Sequence, residues 1–497
     1  MTRRLLLSIL ALSTACPRAH AGKVQADNLL LPSDAATHKQ AVVDIFTASY
    51  SNYKTFAFGH DQVSPISNGF NDPRNGWGAT IYIMGLNDLF AEAVNFSQKI
   101  DFTVAPTTPT DISVFESTIR YVGGLISAYE LSGAQYPGLV DKAEQLTRRM
   151  VDIAYSRGNV IPFGHVNFAA STPNVAGTNI AEAGTLSLEY QQLSQLTGND
   201  TFRQLAEGSV RHIVSLGGPL PGFPAQCISP TTGSFTCQAV TWGGGSDSYI
   251  EYLIKYARLT NTEDTVFADA WKKAVDTSIK TLLKTSTVGN WTYLADYDGS
   301  RIVHVGSHLA CFHAGNWILG GKLTNNDTIV NIGLALNDGC WNTYASTTTG
   351  IGPEVFAWIS ADGNFTGGTP TASELAFYNA HGFYVTNGVY IQRPEVLESN
   401  FYAWRATGDT KYLDRAAAAI DSFNKYLSVG SGGGYSGIGD VTSTNSGHFD
   451  ETESFWYAEV LKYLYLTFDD PTHISLDEYV FNTEAHPFRA PAARNSY

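Results

Sequence analysis

A helical period governs this sequence. Apolar residues return every three to four positions through residues 115–131, 139–155, 180–196, 201–216, 247–259, 265–284, 308–320, 400–407, 411–427 and 453–466, which lays them along one face of an α-helix. Strict alternation is too rare for long strands, so strands are expected only as a few short pieces in loops. One device joins several of the helices: a stop at glycine or asparagine, then a polar start. It occurs at Thr197-Gly198-Asn199 ahead of Phe202, at Thr260-Asn261 ahead of Phe267, and at Thr407-Gly408-Asp409 ahead of Tyr412. A left-handed residue at such a point ends one helix before the next begins. The repeated helix–turn–helix units are too divergent and too interrupted for an open solenoid. An all-α, closed α/α toroid is expected, with an irregular helical bundle as the alternative.

Three loops break the pattern: 217–240, with Pro219, Pro221 and Pro224; 359–373, rich in Gly, Thr and Pro; and 428–447, rich in Gly. The last resembles a linker, but only about 50 residues follow it, too few for an independent domain. Residues 22–497 are therefore read as one domain. With 43% hydrophobic residues in 497, the chain can build a large core. Its 46 Asp and Glu against 31 Lys and Arg leave a net charge of −15. Such a surface has no general attraction for nucleic acid or anionic membrane. The acid excess either keeps the chain soluble or hides catalytic carboxylates.

The N-terminus pairs Arg3 and Arg4 with an apolar run from Leu5 to Cys16 and the small-residue site Ala19-His20-Ala21. That is the pattern of a cleaved secretory leader covering residues 1–21. Its apolar run is shorter than the roughly 20 residues a membrane span needs, so secretion without a stable membrane anchor is expected. Removing Cys16 leaves Cys227, Cys237, Cys311 and Cys340, an even set that suggests two disulfides in an oxidising compartment. Three connectivities are possible. Pairing of neighbours, 227 with 237 and 311 with 340, is favoured, because the first would staple a short loop. Sequons at Asn95, Asn199, Asn290, Asn326 and Asn364 suggest N-glycosylation.

No G-x-S-x-G elbow and no H-E-x-x-H motif occurs, which leaves the carboxylates as candidates for chemistry. Glu116 and Arg120 lie one turn apart on a helix face, an ordinary ion pair unless burial or another carboxylate raises the acid. Asp247 follows Gly243-Gly244-Gly245-Ser246 in the first turn of a helix, where capping is the simple explanation. Glu354 sits in the tight loop Gly350-Ile351-Gly352-Pro353. Pro394 suits a first helical position, so Glu395 stands at a helix N-terminus whose dipole favours its anion, as a general base requires. Glu398 is one turn further on. Phe455 and Glu459 share another face. The recurring theme is a carboxylate at a helix start after a Gly- or Pro-containing loop. In a toroid such starts could converge at one mouth, and paired carboxylates with aromatics suit glycoside hydrolysis.

Seven motifs in order carry a closer resemblance. They are residues 115–125, 181–189, Ser246-Asp247-Ser248-Tyr249, 308–312, 350–354, Arg393-Pro394-Glu395 through Ser399, and Phe481-Asn482-Thr483-Glu484 through Pro487. Together they resemble the class I α-1,2-mannosidases of glycoside hydrolase family 47, above all the secreted fungal members, over about Gly76 to Pro487. The resemblance implies an (α/α)7 barrel and inverting removal of α-1,2-linked mannose from high-mannose N-glycans, with Ca²⁺ at the barrel floor. It implies that Glu116 matches a proposed general acid, Asp247 and Glu354 further catalytic carboxylates, and Glu395 a proposed general base. It leaves the division of acid and base among them open. Thr483 matches the direct Ca²⁺ ligand, with Glu398, Glu459 and Glu484 holding waters around the ion. Arg120, His308, Arg393 and Phe455 match residues lining the sugar site, and Cys311–Cys340 matches the family's bridge. The chain is expected to work as a monomer.

Three departures stand out. Ile81 to Gly85 follows Thr80 where the family has about two more helical turns. Gly245 replaces an arginine of the endoplasmic-reticulum type, which implies broader trimming of several branches. Thr452 stands where methionine is frequent. A mannose-binding relative without efficient turnover is the alternative function.

Overall fold

The computed structural model describes residues 22–78, 87–105, 111–430 and 433–497. The expected leader, Cys16 and the segment Ile81 to Gly85 lie outside the described residues. Helices arrange in two layers. The inner layer includes Gly123–Leu131, Ser187–Thr197, Asp247–Thr260, Phe312–Leu323, Glu395–Thr407 and Leu461–Phe468, and each packs on the next. Around them lie Gly138–Ala154, Thr201–Ser215, Val266–Thr281, Asp327–Ala345, Lys411–Tyr426 and Ala35–Phe56, one against each inner helix. The layers differ in burial. Glu395–Thr407 is buried from Glu395 to Ala406, whereas Lys411–Tyr426 buries one stripe, Tyr412, Leu413, Ala416, Ala419, Ile420 and Phe423. A helix covered all round belongs inside, whereas an outer helix such as Lys411–Tyr426 needs only one apolar stripe.

The helix stops lie where the sequence places them. Gly198, Asn261 and Gly408 have φ of 71°, 48° and 73°, and each donates its backbone N–H to the carbonyl four residues back. Strands of two to four residues form eight small sheets among the described residues. The loop 428–447 is not a free linker: Ser428–Val429 pairs with Gly434–Tyr435, and Ile438 pairs with Tyr390 and His448. Cys227 bridges Cys237 and Cys311 bridges Cys340, with Cα atoms 5.4 and 6.0 Å apart. Among the described residues no helix is long and apolar enough to cross a membrane. Asn95, Asn290, Asn326 and Asn364 are exposed, and Asn199 is half-buried.

Several expected boundaries move. Residues 180–196 are not one helix. Ile180–Gly184 ends at Thr185, and Ser187–Thr197 starts afresh. Gly184 presses on the ring of Tyr249, where a Cβ would come within 2.3 Å, so this turn docks on the next inner helix. The helix expected at 400–407 begins at Glu395, and Pro394 is its N-cap rather than its first helical residue. The helix expected over 265–284 stops at Thr281, because Leu283–Thr285 pairs with Thr292–Leu294. Ala35–Phe56 and Asp327–Ala345 carry no helix in the sequence reading. The second is covered on several sides, with Gly333 against Ile318 and Gly339 against the Thr292 carbonyl, so it shows no single stripe.

Candidate active site

Inner-helix starts and one C-terminal turn enclose a cavity of about 580 Å³. It is lined by Glu116, Arg120, Asp247, Arg393, Glu395, Glu398, Phe455, Glu459, Thr483 and Glu484. Ten of the twelve residues proposed for the site thus meet in one place. Glu354 and His308 stand one layer behind. Glu354 receives a forked pair of hydrogen bonds from Arg393, Nε to Oε2 at 2.7 Å and Nη2 to Oε1 at 2.7 Å. His308 meets Glu395 instead, Nδ1 to Oε2 at 2.8 Å.

Local structure explains the placement. Val114–Ser117 opens with Ser113 accepting the N–H of Glu116, then widens through a π-turn at Thr118–Val122 that carries Arg120. A second π-turn, Trp456–Val460, carries Glu459. Such turns admit an extra residue and re-aim side chains. Arg120 donates Nε to Glu116 at 2.7 Å, pairs with Glu484, and lies 5.7 Å from the Phe455 ring centre. Thr483 sits in the turn between Tyr479–Phe481 and Pro487–Arg489. Asn482 pins that turn, accepting the N–H groups of Glu484 and His486 and donating to Ile119 and Glu189. Lys462 donates to the Ala485 carbonyl at 2.6 Å, and Tyr252 accepts the Thr483 N–H.

The carboxyls sort by protonation. Burial pushes Glu395 up, but the His308 hydrogen bond and the charges of His308 and Arg393 outweigh it and leave its pKa below the ordinary value. Burial likewise opposes Glu116, and Arg120 and Arg74 bring it down. For Asp247 burial prevails, the charges of Glu251 and Glu395 add to it, and the pKa rises to about 7. Glu459 rises well above its usual range through burial and the neighbouring carboxylates Glu484, Glu395 and Glu398.

Some cavity residues escaped the sequence reading. Arg74 stands 3.5 Å from Glu116, held by its N–H to Asp61 at 2.7 Å and by Tyr121 donating to its carbonyl. It lies in a loop with no local signal. Glu251 lines the floor and pairs with buried Lys255. Here a signal existed: Asp247, Glu251 and Lys255 form a column of charges at i, i+4 and i+8 on one helix.

Comparison with known proteins agrees with this geometry. The model of "Glycosyl hydrolase family 47" matches residues 45–490. The chain is 37% identical to "Probable mannosyl-oligosaccharide alpha-1,2-mannosidase 1B" of Aspergillus clavatus, over 97% of this chain and 99% of that one. It is 35% identical to "Mannosyl-oligosaccharide alpha-1,2-mannosidase 1B" of Aspergillus phoenicis, over 97% and 98%. Its structure matches "alpha-1,2-mannosidase from Trichoderma reesei" with a TM-score of 0.87 at 36% identity, covering 93% of this chain and 99% of that one. The two helical layers are those of an (α/α)7 barrel, and the chain belongs to glycosyl hydrolase family 47.

Proposed function

We propose that this chain is an exo-acting α-1,2-mannosidase that trims high-mannose N-glycans with inversion and with bound calcium. Residues 22–497 act as one catalytic domain, secreted as a glycosylated monomer after removal of residues 1–21. One observation carries the chemistry: two carboxyls of one cavity have opposite protonation, Glu395 ionised and Asp247 keeping its proton to about pH 7. That is the division an acid–base pair needs.

Glu395, aimed by His308, takes a proton from water. The water oxygen bonds to the anomeric carbon on the face opposite the leaving oxygen, so the configuration inverts. Asp247 gives its proton to that leaving oxygen. An inverting pair stands about 6.5–9.5 Å apart to admit the water. Glu116, clamped by Arg120 and Arg74, stays anionic and accepts sugar hydroxyls; it is the competing candidate for the acid. Glu354 fixes the Arg393 fork, and Phe455 offers the sugar an apolar face.

Calcium suits the floor of this cavity. The donors are all oxygens, and buried like charges around Glu459 call for a cation. Among the described residues no three His, Cys, Asp or Glu side chains form a direct metal cluster. Thr483 would be the direct ligand, with Glu398, Glu459 and Glu484 acting through water. A calcium ion there supplies fixed positive charge against which sugar hydroxyls orient.

Incubation with a nine-mannose N-glycan is the test. Released mannose, abolished by EDTA and by Glu395→Gln, supports the proposal. Tight binding without release would identify the alternative, a mannose-binding relative.

A further inference from the structure

Two chain segments form a wall with a cavity on each side. In one, Arg393 lines the main cavity, Gln392 lines a smaller one, and Ile391 borders both. In the other, Phe455 lines the main cavity, Glu451 the smaller one, and Glu453 borders both. Gly437 and Phe449 complete the side cavity, which holds about 230 Å³. We infer that this side cavity binds a second mannosyl residue of the same branched glycan while the terminal mannose occupies the main cavity. The inference rests on the mannosidase reading above.

The lining matches a neutral, polyhydroxylated ring. Phe449 is 37% exposed. It lies against Gly437, accepting no side chain there: its N–H donates to the Gly437 carbonyl at 3.0 Å, and a Cβ on Gly437 would meet the ring at 3.1 Å. The ring thus offers a flat apolar surface to the C–H face of a pyranose, as aromatic rings do in sugar sites. Glu451 and Glu453 supply acceptors for hydroxyls at its edge. Among the described residues no basic side chain lines the cavity, so an anionic ligand is disfavoured. The volume admits one pyranose rather than a chain of them.

The wall is also rigid. Gln392 holds a left-handed backbone, with φ of 64°, and its side-chain Oε1 accepts the Glu453 N–H at 2.9 Å. Gln62 donates to the Glu453 carboxylate. Thr452 is tied to Val63 and Tyr435. A strained non-glycine backbone persists where its surroundings over-determine it, often beside a ligand.

The test uses the full chain, two substrates and three variants. With Phe449→Ala or Glu451→Gln, kcat/KM on a nine-mannose N-glycan should fall roughly fivefold to tenfold, while turnover of α-1,2-mannobiose stays unchanged. Phe449→Trp should restore the glycan rate. Unchanged rates on both substrates, or equal losses on both, overturn the inference. If the wild-type chain releases no mannose, the activity proposal fails, and the subsite is judged on affinity instead. A weaker Kd of Phe449→Ala for the nine-mannose glycan supports it, and an unchanged Kd overturns it.

Discussion

His308 stands between Tyr344 and Glu395, with Nδ1 2.8 Å from the carboxylate and Nε2 2.7 Å from the tyrosine hydroxyl. An ionised carboxylate only accepts, so Nδ1 carries a proton and donates it. Nε2, on the other side of the ring, faces the Tyr344 hydroxyl. The ring is buried, as is Glu395, so this chain sets both the direction and the charge of the proposed base.

His308→Ala should therefore raise the Glu395 pKa, since it removes a hydrogen bond and a charge that lower it. The acidic limb of kcat/KM should move to higher pH, and kcat should fall about 10²-fold, the low end for a disturbed general base. Tyr344→Phe should act in the same direction but less. A pH–rate profile checks both, and an unmoved acidic limb would detach His308 from the base.

Asp247 sets the opposite limb. A proton donor raised to about 7 is spent as pH climbs past that value, so the rate should decline above about pH 7. Asp247→Asn should stop hydrolysis of α-1,2-mannobiose yet retain hydrolysis of α-mannosyl fluoride, whose leaving group needs no proton. If Glu116→Gln shows that pattern instead, the acid role passes to Glu116.

Gly245 lines the main cavity at φ 87°, and a Cβ there would come within 2.5 Å of Gln226 Nε2. Any side chain is strained in this backbone, by about 1–3 kcal/mol. Gly245→Ala should lower the melting temperature and leave the product profile broad. Gly245→Arg should lower it similarly and also narrow trimming of a nine-mannose glycan to fewer branches. A broad profile from the arginine variant would refute the link between this glycine and broad trimming.

Lys255 and Glu251 form a buried pair, 1% and 4% exposed at their side chains. Lys255→Met leaves a buried carboxylate uncompensated, which costs about 3–5 kcal/mol. Chemical denaturation should show that loss. The double variant Lys255→Met with Glu251→Leu should recover most of it, because no unpaired charge remains.

Much of the fold was legible in local sequence. The stops at Gly198, Asn261 and Gly408 depend only on a residue's tolerance of left-handed backbone and on the polar start that follows. Outer helices such as Thr201–Ser215 were legible because one face meets solvent. Helices covered on several sides, such as Asp327–Ala345, lose that contrast. In the site, Glu395 was legible from the proline before it and Asp247 from its glycine-rich approach. Arg74 was not, because it reaches Glu116 from 42 positions away through a loop anchored on Asp61.

By itself the sequence determined much of the helical architecture, several of its turn points and which carboxylates stand at helix starts. Those properties arise from periodicity and backbone preference within a few residues. Only the tertiary structure decided which acids are charged. Glu116 and Glu395 are held ionised by Arg120, Arg74 and His308, while Asp247 keeps its proton because burial outweighs its few hydrogen bonds. Protonation depends on solvent exclusion and on charges that only the closed ring of helices brings together.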